Sequence, residues 1–70
     1  MQEYKIAKED GILINIRTGH DERILIITND DVEKIQVEGS NLYVTTKDGK
    51  RYLTDDHAGM YEHMGWIEKV

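Results

Sequence analysis

Residues 44–66 read VTTKDGKRYLTDDHAGMYEHMGW. The first half alternates as a strand does. Lys47-Asp48-Gly49-Lys50, set between two alternating runs, is a hairpin turn. A two-residue loop there pairs Val44 with Leu53, and a three-residue loop pairs Val44 with Tyr52. Both give usable faces, and the sequence leaves the choice open. After Leu53 the period changes. Thr54 is placed to cap a helix, with Asp55 and Asp56 in a first turn that favours negative charge. Met60, Tyr61 and Met64 share one helical face. Gly59 costs about 1 kcal/mol relative to alanine inside a helix, so this helix is short. Gly65 suits the residue after the C-cap, and Trp66 then folds back on Tyr61. The stretch therefore predicts a hairpin followed by a helical lid on a sheet.

The chain before it is all strand and turn. In EYKIAKE, Tyr4 and Ile6 share one face; in ILINIR, Ile12, Ile14 and Ile16 do. Such period-two patterns predict half-buried strands. A three-residue loop, Glu9-Asp10-Gly11, would pair Tyr4 with Ile16 and Ile6 with Ile14. It needs a left-handed residue at Gly11. A two-residue loop would set Ile6 against Asn15, so the three-residue loop is expected. RILIIT, with four consecutive aliphatic residues from Ile24 to Ile27, predicts a central strand buried on both faces. VEKIQV places Ile35 and Val37 on one face with Val32 out of phase, which predicts a bulge or short helical turn near residues 31–33. Leu42 and Val44 continue the pattern, and WIEKV ends the chain as a short strand or extended tail.

The fold class expected is α+β, mostly β. It is an antiparallel meander of five to six strands, flat or curved into a half-barrel, with one short C-terminal helix packed on it. Residues 1–70 form a single domain. The expected core is Ile14, Ile24, Ile26, Ile35, Val44 and Leu53, with the methionine stripe against the sheet.

Composition narrows function mainly by exclusion. Fourteen acidic and nine basic residues give a formal charge of −5. Phosphate-backbone binding needs a basic footprint, so direct nucleic-acid binding is not expected. There is no cysteine, hence no disulfide and no thiolate metal site. The opening MQEYKIAKED has no apolar signal core, and no run approaches the roughly 20 apolar residues that cross a bilayer. A cytoplasmic location and no membrane association are expected.

The chemistry-bearing residues mostly have structural explanations. His57 and His63, six apart, point about 120° away from each other on a helix, and the metalloprotease spacing is absent. The acidic pairs Glu9-Asp10, Asp21-Glu22, Asp30-Asp31 and Asp55-Asp56 all fall in turns or caps, where local hydrogen bonding favours them. No glycine-rich phosphate loop or nucleophile motif occurs. The chain is expected to be no enzyme and to take no cofactor or metal. Residues 30–52, DDVEKIQVEGSNLYVTTKDGKRY, resemble the strand core of LytTR-type DNA-binding domains in alternating around a Thr-Lys-Asp-Gly hairpin. The acidic balance and the ending IEKV, which lacks a basic recognition segment, depart from that pattern. No residue takes a role from the resemblance.

The expected function is a small protein-binding module of the stoichiometric regulator or inhibitor kind, as small phage or mobile-element proteins can be, contacting a basic surface of its partner. The alternative is a homodimeric assembly protein that uses a sheet edge or a tyrosine face. Candidate contact residues are Asp30, Asp31, Glu33, Tyr43, Tyr52, Asp55 and Asp56. The acids offer charge, and the tyrosines are the amphipathic type enriched at interfaces.

Overall fold

The computed structural model describes residues 2–18, 21–54 and 57–70. Its elements run β1 (Gln2–Ile6), β2 (Ile12–Thr18), β3 (Asp21–Ile27), β4 (Val32–Glu38), β5 (Asn41–Thr46), β6 (Arg51–Leu53), α1 (Ala58–His63) and β7 (Ile67–Lys69). The fold is mostly antiparallel β with one short helix near the C-terminus, as the alternation implies. The main sheet has five strands in the order β6-β5-β4-β1-β7, and β2 pairs with β3 as a separate two-stranded ribbon.

The hairpins follow local turn chemistry. Val44 stands opposite Tyr52, which is the three-residue loop. Gly49 sits at its left-handed position with φ 89°. The β4–β5 register shifts between Val32 and Lys34, so the out-of-phase Val32 does mark a bulge. The carboxamide of Asn29 accepts from Ile6 N–H at 3.0 Å and donates to Ile6 C=O at 2.9 Å. One side chain thereby satisfies main-chain groups of β1 near the place where the bulge disturbs β4.

The expected β1–β2 hairpin does not form. β1 pairs with β4 on one edge and β7 on the other, so neither edge is open to β2. Gly11 is left-handed as expected, with φ 91°, and its N–H donates to Lys8 C=O at 3.0 Å. That turn sends the chain across the core instead of back alongside β1. The facewise match of Tyr4 and Ile6 with Ile14 and Ile16 is real. It is met by residues sharing one core, not by cross-strand pairing. β2 is tied to the far side of the main sheet by a bridge between Ile16 and Thr54. The strands therefore curl round a common interior.

That interior holds Tyr4, Ile6, Ile12, Ile14, Ile16, Ile27, Val32, Ile35, Leu42, Val44, Ala58, Tyr61 and Ile67. Each fully buried aliphatic among them contributes about 1.5–3 kcal/mol of transfer free energy. Three expected core residues are outside it: Ile24 and Ile26 are well exposed, and Leu53 is exposed at the sheet margin. RILIIT is not a central strand. β3 alternates, with Ile27 inward and Ile24 and Ile26 outward, because nothing else in the described chain covers the ribbon's outer side.

The helix starts later than expected. Its N-cap is His57, whose Nδ1 accepts from Gly59 N–H at 3.1 Å. Thr54 is instead buried in the bridge to Ile16, and its N–H donates to Leu42 C=O. The expected first-turn acids, Asp55 and Asp56, lie outside the described residues. The helix end is as expected. Trp66 N–H donates to Tyr61 C=O and Gly65 N–H to Glu62 C=O, with Gly65 at φ 74°, the pattern that satisfies the last carbonyls. The Trp66 ring meets Tyr61 edge-on at 5.7 Å. The inward stripe is Ala58 and Tyr61; Met60 and Met64 face outward, so the methionines do not pack on the sheet.

Candidate functional site

One end of the molecule is built from two turns fastened together. In the β3–β4 turn, Asp31 N–H donates to Thr28 C=O at 3.0 Å. Asp31 Oδ2 accepts from Thr28 N–H and Thr28 Oγ1, both at 3.2 Å. In the β5–β6 turn, Asp48 Oδ1 accepts from Thr46 Oγ1 and from Lys50 N–H. Lys47 N–H then donates across to Asp31 C=O at 2.9 Å. This bond holds the two acidic loops side by side. Between them lies an open hollow of about 350 Å³, lined by Leu25, Asp30, Asp31, Thr46, Lys47, Asp48 and Tyr52.

The carboxylates of this hollow differ in their commitments. Asp31 and Asp48 are spent on their own turns. The Thr46 hydroxyl, and after it the Lys50 amide, hold the Asp48 carboxyl below the usual carboxylate range. Asp30 is exposed. Its N–H donates to Thr28 Oγ1, while its carboxylate has no partner among the described residues. The lining also carries Lys47, and Lys50 Nζ stands 4.0 Å from Asp48 Oδ2; Tyr52 and Leu25 supply its apolar part.

The structure gathers Asp30, Asp31 and Tyr52 from the sequence-derived set and adds Asp48. Sequence reasoning had explained Asp48 by its turn alone. The missing information was the Lys47–Asp31 bond between the two turns; the three-residue register, one of the two weighed, sets Tyr52 on the Val44 face. Glu33 lies at the β4 bulge and lines a second groove, of about 210 Å³, with Glu3, Tyr4, Lys5, Asn29, Val32, Lys34 and Val70. Tyr43 stands on the opposite, outer face of the main sheet, where the Arg51 guanidinium lies 4.1 Å over its ring. Asp55 and Asp56 fall outside the described residues.

A second feature was not foreseen. On the ribbon's outer side Leu13 is opposite Ile26, and Asn15 opposite Ile24. Leu13, Ile24 and Ile26 are 51%, 62% and 70% exposed. The run of aliphatics was visible in the sequence, but the same run also fits a strand buried on both faces.

Tyr4 and Glu62 act within the fold. Tyr4 Oη donates to Glu62 Oε2 at 2.6 Å, joining β1 to α1. That bond, then burial, raises the phenol above its usual range. Among the described residues no three His, Cys, Asp or Glu side chains converge to hold a metal ion. No helix among them is long and apolar enough to cross a membrane. No family model, curated protein or solved structure matches the chain.

Proposed function

We propose that this chain is a non-enzymatic protein-binding module, a stoichiometric regulator or inhibitor, that meets a basic surface of its partner through the hollow between its two acidic turns. The supporting observation is the Lys47–Asp31 main-chain bond, which holds the turns of Asp30, Asp31 and Asp48 side by side at the hollow that Tyr52 also lines. A rim preset in the free protein loses little freedom on binding. Its charge steers a cationic partner and fixes its register. Asp30 is the residue to perturb, because its carboxylate takes no part in the turn.

The test is affinity capture from the native host with the wild-type chain and the Asp30→Lys variant, each at low and high salt. A protein held by the wild type at low salt, and released both by salt and by Asp30→Lys, supports the reading. Capture indifferent to both changes, or no capture, refutes it.

A further inference from the structure

We draw no further inference here: the strongest candidate, the exposed aliphatic strip of Leu13, Ile24 and Ile26 on the outer face of the β2–β3 ribbon, carries none, because nothing in the structure shows what covers it.

Discussion

The phase of the β2–β3 ribbon can be read from two alanine substitutions. Ile14 is fully buried and Ile26 is 70% exposed, although the two lie in adjacent pairs of one ladder, Ile14 with Leu25 and Leu13 with Ile26. Truncating a fully buried isoleucine costs about 2–5 kcal/mol through lost transfer energy and the cavity left behind. A chain of this length has about 4–10 kcal/mol in total, and each kcal/mol is worth about 4–8 °C in Tm. Ile14→Ala should therefore lower Tm by about 10 °C or more. Ile26 keeps only a minority of its surface from water, so the buried share of a full transfer term is roughly 0.5–1 kcal/mol. Ile26→Ala should shift Tm by a few degrees at most. Urea unfolding followed by Trp66 fluorescence, at a concentration too low for self-association, gives both numbers. Equal costs at the two sites, or a silent Ile14→Ala, would mean the ribbon faces the other way, since a one-residue slip exchanges its faces.

Two further substitutions test the turns and the helix start. Gly11 and Gly49 both have positive φ, but a Cβ at Gly11 would clash with Ile27 O and lie 2.9 Å from Thr28 Cγ2, while nothing lies within 4 Å of one at Gly49. Thermal melts should therefore rank Gly11→Ala as the more damaging; each loses about 1 kcal/mol from strain, with the clash added only at Gly11, and equal losses would contradict the close approach. His57→Ala removes the N-cap acceptor and should cost about 0.5–2 kcal/mol, mostly recovered by His57→Asn, whereas His57→Ala without effect would show that the cap bond contributes nothing.

What was legible in the sequence divides by range. The irregularity near Val32, the left-handed Gly11, the helix end at Gly65 and the Trp66–Tyr61 contact all depend on a few neighbouring residues, and they were readable; the loop at Gly49 was left open between two types. The partner of β1 depends on residues some 30 and 60 positions away. Facewise matching of Ile6 with Ile14 cannot separate two strands side by side from two strands facing across a core, because both put the same residues inside. The helix start failed for a local reason. Thr54 and His57 can each serve as a cap acceptor, and the bridge to Ile16 claims Thr54. At the hollow, Asp30 and Asp31 were found from charge. Asp48 joined them only through the pairing of Lys47 with Asp31, 16 residues apart in sequence.

The expectation for β3 failed for one physical reason. Ile24, Leu25, Ile26 and Ile27 in succession put aliphatic side chains on both faces of β3. Within the described chain only one face avoids water, through Ile27 and the half-buried Leu25. The rule that a continuous aliphatic run marks a strand covered on two sides says nothing about which molecule does the covering. Leu13, Ile24 and Ile26 on the other side of the ribbon stay exposed, so the run tells which side chains the strand carries and not what covers them.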